Sequence, residues 1–286
     1  MNHPNKTKIK ANCQNTTGLF LNKKVLDDLY NKYNFRQFVN PDPLQYLFDY
    51  DNIADREIAG IIASALAYGN VKQILRSVFS VLEKMGKSPR DYMESRNETQ
   101  IYSDFTGFKH RFTTSDELSS FLVSVKSALK NYGSLNNLFL NGFNETDPDV
   151  HKALCFFVKE LISPQDGKSG SLIALPWKLS ACKRLHLYLR WMVRRDNVDP
   201  GGWTGIAPSK LIVPLDVHMF RVCALMNLTK RKQAGLISAR EITSGFKKVS
   251  PNDPVKYDFA LTRIGIRNDI KLEDFINQYH IIEVNL

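Results

Sequence analysis

One carboxylate stands at the mouth of an apolar helix in the run Pro214-Leu215-Asp216-Val217-His218-Met219-Phe220-Arg221-Val222-Cys223. Met219, Val222, Cys223 and Met226 recur at helical spacing and predict a buried stripe. That periodicity begins only after Asp216, which sets the acid at or beside the helix N-cap. There it can accept backbone N–H bonds and face the positive end of the helix dipole. Taken as residue types alone, Asp216 reads as a helix cap.

The same string resembles the Val-Asp-x-His-x-x-Arg-Val signature of the helix-hairpin-helix DNA glycosylase superfamily, the group that contains endonuclease III. Asp216, His218, Arg221 and Val222 carry the match, and Phe220 and Cys223 also agree with endonuclease III. The resemblance implies that Asp216 is the catalytic carboxylate. It also implies a second catalytic group, a lysine opening the helix that follows the hairpin.

Upstream, Ser180 to Val193 reads as such a helix, with Leu185, Tyr188, Leu189 and Met192 as its core face. Lys183 is the lysine near its start, 33 residues before Asp216. Endonuclease III has a shorter gap, whereas the archaeal 8-oxoguanine glycosylases are similar in carrying a long insertion. The stretch from Arg194 to Lys210, with Pro200, Gly201, Gly202, Gly205 and Pro208, resembles that insertion and reads as an ordered loop. Lys183, Arg190 and Arg194 fall close together on one face at 100° per residue, a basic stripe. Arg184 competes with Lys183 for the nucleophile position, but a guanidinium cannot be deprotonated for attack.

The family's Leu-Pro-Gly-x-Gly turn is absent. The connection from Ser163 to Leu179 is long and contains Gly167, Lys168, Ser169 and Gly170, then Pro176 and Trp177. Its backbone N–H groups and Lys168 could meet a DNA phosphate, or it could be a surface loop. No glycine stands five residues before Gly167, so Gly167-Lys168-Ser169 is not a P-loop. The expected DNA contacts are Lys168, Ser169, Gly170, Lys178, Ser180, Arg184, Arg190, Arg194 and Lys210. Tyr68, Trp177 and Trp203 are aromatic candidates for a base pocket or a wedge. At Tyr68 an aromatic also suits the core.

Charge agrees with a nucleic-acid partner. The 286-residue chain carries a net +10, and Lys178 to Lys232 holds eleven Lys or Arg against three Asp, a net +8. Such clustering favours association with phosphates, although basic helix faces can also merely be solvated. Cys13, Cys155, Cys182 and Cys223 are too dispersed for a zinc pattern or a disulfide framework, and none follows Cys223 to hold an iron–sulfur cluster. No metal or cofactor is implied. No run of about 18 apolar residues appears, and the polar stretch Met1 to Thr17 lacks a signal-peptide core, so a cytoplasmic, nucleoid-associated monomer is expected.

Helical patterns dominate and period-two runs are few. Asp55 to Ser80 reads as two helices broken near Tyr68-Gly69-Asn70, and Glu117–Tyr132, His151–Leu161, Ala239–Val249 and Pro254–Ile264 also read as helices. Asp253-Pro254 suits a helix start. The fold class is therefore all-α. The superfamily resemblance implies a two-lobed helical fold, with 44–185 as a central barrel, 18–43 and 186–286 as a second lobe made by both chain ends, and 1–17 as a flexible N-terminus. It further implies a DNA repair glycosylase with AP lyase activity on double-stranded DNA, acting through a lysine Schiff base on a damaged base that the long insertion suggests is an oxidised purine. A non-catalytic DNA-binding protein on the same scaffold is the alternative, and an enzyme acting on RNA or a nucleoside is a third reading.

Overall fold

The computed structural model describes residues 22–165, 170–264 and 271–281. It is almost wholly helical, with one two-stranded ribbon among the described residues. The helices run α1 (Lys23–Tyr33), α2 (Ile53–Ala65), α3 (Val71–Met85), α4 (Pro89–Ser95) and α5 (Glu98–Asp104). The ribbon, β1 (Lys109–His110) and β2 (Thr113–Thr114), then pairs antiparallel, with His110 opposite Thr113. There follow α6 (Ser115–Tyr132), α7 (Leu135–Asn141), α8 (His151–Ile162), α9 (Lys183–Val193) and α10 (Val217–Leu225). Helices α11 (Leu236–Lys247), α12 (Asp258–Arg263) and α13 (Leu272–Ile281) complete the chain.

Short polar side chains start most of these helices by taking orphan backbone donors. Asn22, Asn52, Asn70, Ser134 and Asp216 each accept an N–H from the first turn. Asn97 with Gln100, and Thr114 with Glu117, close reciprocal capping boxes at α5 and α6. The break expected near Tyr68-Gly69-Asn70 falls between α2 and α3. The helix expected from Pro254 does not start there: residues 254–257 form turns, and α12 begins at Asp258. The expected Ala239 helix starts three residues earlier, at Leu236, and the Ser180 helix starts at Lys183 itself.

Helix α9 is the organiser of the core. It packs on α2, where Gly60 lets Tyr188 approach so closely that a Cβ at residue 60 would stand 3.0 Å from the ring. The Tyr188 hydroxyl donates to the Glu57 carbonyl at 3.0 Å. The buried Glu57 carboxylate accepts the Leu135 and Asn136 N–H groups at 3.0 and 3.1 Å and thereby caps α7 from across the core. The first helix meets a late one where α1 packs on α12, and Asp27 receives Lys256 Nζ at 2.8 Å and Tyr257 OH at 2.9 Å. Buried apolar side chains from Leu26 to Phe275 join in one continuous cluster.

Candidate active site

Two helix N-termini converge. Lys183 is the first residue of α9 and Asp216 is the N-cap of α10, and Lys183 Nζ lies 2.7 Å from Asp216 Oδ2. Asp216 Oδ1 meanwhile accepts the Met219 N–H at 2.8 Å. The carboxylate thus divides its oxygens between cap and lysine. Both side chains remain about one-third exposed, 36% for Lys183 and 31% for Asp216. Burial alone would raise the Asp216 pKa, but the Lys183 ammonium, its hydrogen bond and the Met219 N–H outweigh this and lower it.

The surroundings explain the placement. Leu211 to Leu215 lead, buried, into Asp216, pinned by a bond from Val213 N to Thr243 Oγ1 at 3.0 Å. Met219, Val222, Cys223 and Met226 form the expected stripe, each fully buried. On the lysine side, Cys182 takes a left-handed conformation (φ 42°) and turns the chain into α9, and Leu179 does the same (φ 58°) after the 3-10 turn Pro176–Lys178. Left-handed residues in such turns are usually glycine. Leu and Cys perform that service here, so a glycine pattern could not reveal the turn.

Several expected DNA contacts are spent elsewhere. Arg190 and Arg194 are buried, 3% and 4% exposed, and carry an ion-pair network rather than an exposed stripe. Arg190 pairs with Asp199 at 3.1 Å and with Asp258. Arg194 pairs with Asp199, with Asp253 at 3.0 Å and with Asp196 at 2.8 Å. Although burial opposes its charge, these carboxylates raise the Arg194 pKa. Arg184 donates to the Ala65 carbonyl and to the Ser171 carbonyl at 2.8 Å, so it ties α9 to α2 and to the preceding loop. Lys210 gives its ammonium to the Glu145 and Asp147 carbonyls at 2.5 and 2.7 Å.

The aromatic candidates are corrected in the same way. Trp203 is buried, donates from Nε1 to Glu57 Oε2 at 3.0 Å and packs edge-on against Tyr188, which makes it core rather than base pocket. Tyr68 is no wedge: its hydroxyl bonds the His110 carbonyl at 2.9 Å and Thr113 Oγ1 at 2.6 Å, and the Arg184 guanidinium covers its ring at 5.0 Å. Trp177 stays 39% exposed. Lys168 and Ser169 lie outside the described residues. Gly170 sits at φ +54° beside Glu117, whose carboxylate accepts the Ser171 N–H at 3.1 Å and repels a phosphate at this corner.

Lys178 and Ser180 are exposed on the approach to Lys183, and the Ser180 hydroxyl contacts Cys182 Sγ at 3.1 Å. The periodicity gave no sign of other groups at this edge. Leu236 N donates to the Leu179 carbonyl at 3.0 Å, which brings the loop with exposed Lys230 and Lys232 against the turn before α9. Val217 beside Asp216 is 82% exposed, and Leu179 is 58% exposed. The buried His218 Nε2 and Asp258 Oδ1 atoms have no hydrogen-bond partner. Among the described residues no group of three His, Cys, Asp or Glu could hold a metal ion, and no helix is long and apolar enough to cross a membrane.

Fold and site together define a helical protein that presents a lysine–aspartate pair, about one-third exposed, where two helices begin. The chain belongs to DUF2400, a protein family of unknown function, which it matches over residues 42–267. That span contains both Lys183 and Asp216. No curated protein matches the chain, and no solved structure does.

Proposed function

We propose that the protein is a DNA glycosylase with associated AP lyase activity, with Lys183 as nucleophile and Asp216 as its electrostatic and proton-transfer partner. One observation carries the reading: Asp216 uses a single oxygen as a helix cap and turns the other to Lys183 at 2.7 Å. A carboxylate needed only as a cap has no reason to face a lysine 33 residues away in sequence. The resemblance of the Asp216 signature to the helix-hairpin-helix glycosylases points to the same two groups.

The target nucleotide leaves the base stack, because the sugar carbon bearing the base is shielded inside a duplex. Lys183 first yields a proton, for which Asp216 Oδ2 stands within transfer distance. The neutral amine attacks C1′, the bond from C1′ to the base breaks, and the base departs with the electron pair and takes up a proton. After loss of a second amine proton the nitrogen lone pair expels O4′, the C1′–O4′ bond breaks with its electron pair on O4′, and the last N–H proton passes to O4′, which leaves an imine between Nζ and C1′ and a hydroxyl on the opened sugar. Asp216, again anionic, stabilises the positive charge that develops on the sugar. An oxidised purine is the proposed base, and double-stranded DNA the proposed partner.

Exposed Lys178, Lys230 and Lys232 supply phosphate contacts beside the site. With Arg190, Arg194 and Lys210 committed to the fold, the affinity should fall with a log–log salt slope of roughly −3 to −4, and Lys178→Ala should reduce it by about 0.9. Borohydride treatment of the protein with a panel of duplexes carrying lesions or abasic sites tests the chemistry. A covalent adduct that disappears in Lys183→Gln supports the reading. No adduct with any duplex, or an adduct undiminished in that variant, overturns it.

A further inference from the structure

Two clefts flank α11, and neither is lined by Lys183 or Asp216. The first, of about 410 Å³, opens between α11 and the loop that enters α8. Pro148 and Ile212 give it apolar walls, while Arg240, Ser244 and Lys247, spaced i, i+4 and i+7, bring donors to it from one helix face. The second, of about 440 Å³, shares Arg240 and Ser244 and holds Lys248 in its wall. Both volumes lie in the range of small-ligand sites. A guanidinium and a hydroxyl thus stand on a ridge between two hollows, with one lysine in each.

The fold does not use up the donors of this ridge. Arg240 gives Nε to Asp149 Oδ2 at 2.7 Å and Nη2 to Oδ1 at 3.1 Å, which engages two of its five N–H groups. Asp149 Oδ1 also takes the His151 N–H at 2.9 Å, so the one acid of the first cleft is neutralised and has both oxygens engaged. Glu241 in the second cleft is spent on Arg231 at 3.0 Å and on the Thr229 hydroxyl at 2.6 Å. The Ser244, Lys247 and Lys248 side chains have no hydrogen-bond or ion-pair partner among the described residues. What remains is an excess of donors and of positive charge beside apolar walls. A phosphate carried on a nucleoside matches it, with acceptor oxygens for the guanidinium fork, the hydroxyl and the ammonium, and a less polar body for Pro148 and Ile212.

The first cleft and the candidate site share one segment. Thr243 in the cleft wall receives the Val213 N–H at 3.0 Å and donates its own hydroxyl to the Ala239 carbonyl at 2.6 Å. Ile212 stands four residues before Asp216. An occupant of the cleft therefore rests on the stretch that delivers Asp216 to Lys183.

We infer that the α11 ridge is a second binding site, which takes the phosphate of a nucleotide at Arg240, Ser244 and Lys247. Titration calorimetry with deoxyadenosine 5′-monophosphate, deoxyadenosine and an undamaged duplex tests it, and no borohydride chemistry enters, so the result is independent of the lyase reading. The mononucleotide should bind at one site, and the nucleoside, which lacks the phosphate, should not. Lys247→Gln should weaken the phosphate ligand roughly tenfold and Ser244→Ala roughly threefold, as expected for lost bonds to a charged group. Exposed Lys87→Gln, the control for charge alone, should stay within twofold. Ser244 and Lys248 are exposed and Lys247 is half-buried, so the variants should melt with wild type. Lys248→Gln separates the two sources of the phosphate. A free nucleotide fills the first cleft alone and is indifferent to Lys248, whereas a DNA strand that crosses the ridge uses both lysines, so each variant should weaken the duplex and lower its log–log salt slope by about 0.9. A duplex response without mononucleotide binding assigns the phosphate to DNA. Lys247→Gln without effect on mononucleotide and duplex alike, or deoxyadenosine bound as tightly as its phosphate, overturns the inference.

Discussion

Asp216 holds two jobs on two oxygens, and substitution can separate them. Asp216→Asn keeps an oxygen for the Met219 N–H, and asparagine is a good N-cap, so only the Lys183 pair is lost. With both partners about one-third exposed, that pair contributes about 0.5–1 kcal/mol. Asp216→Ala loses the cap as well, about another 1 kcal/mol. At roughly 2–4 °C per kcal/mol for a chain of this size, Asn should lower the melting temperature by about 1–4 °C and Ala by about 3–8 °C. Lys183→Gln should match Asn, and combining the two should cost little more than either, because each removes the same contact. Base release should behave differently. It should fall by about two orders of magnitude or more in Asn and Ala alike, since both abolish the charge beside a cationic sugar. Thermal melts and single-turnover base release on the same preparations give both series. Full activity in Asp216→Asn, or a melting temperature as low as that of Asp216→Ala, would refute the division of labour.

The buried network should be far less forgiving than its surface appearance in the sequence suggests. Arg194→Met leaves Asp196, Asp199 and Asp253 without their shared cation and should cost about 3–5 kcal/mol in urea unfolding, whereas Lys178→Ala should cost under about 0.5 kcal/mol. Asp27 should contribute to acid resistance: burial works against its charge, but Lys23, Lys256 and Tyr257 lower its pKa to about 2. Because the folded value lies below the unfolded one, its contribution is complete above about pH 4 and vanishes as pH falls through about 2. Discounted for solvent screening, Asp27→Asn should be less stable than wild type by about 1 kcal/mol at pH 6, with the gap closing at pH 2 in urea titrations.

The all-α fold class was legible because it rests on local signals. Helical periodicity after Asp216 marked a helix start, whereas Lys183 was singled out through the resemblance to the helix-hairpin-helix glycosylases rather than by any local signal. Where reading failed, the missing information was tertiary. A stripe of Lys183, Arg190 and Arg194 looks the same on a helical wheel whether it faces water or buried acids. Asp196 and Asp199 just beyond the helix hinted at partners, but Asp253 and Asp258 arrive from some 60 residues away. Trp203 and Glu57 meet only because the loop after α9 folds back over α2. The turn before Lys183 escaped notice since Leu179 and Cys182, not glycine, adopt its left-handed conformations.

Those late-arriving carboxylates also fix when the site can exist. As the chain leaves the ribosome from its N-terminus, Lys183 and Asp216 emerge well before Asp253 and Asp258. Until those two acids appear, Arg190 and Arg194 keep Asp196 and Asp199 but lack the rest of the negative charge that makes their burial tolerable. The lysine at the upper end of that same helix is therefore assembled late in synthesis, and a fragment that stops short of α12 carries both site residues without the foundation that aligns them.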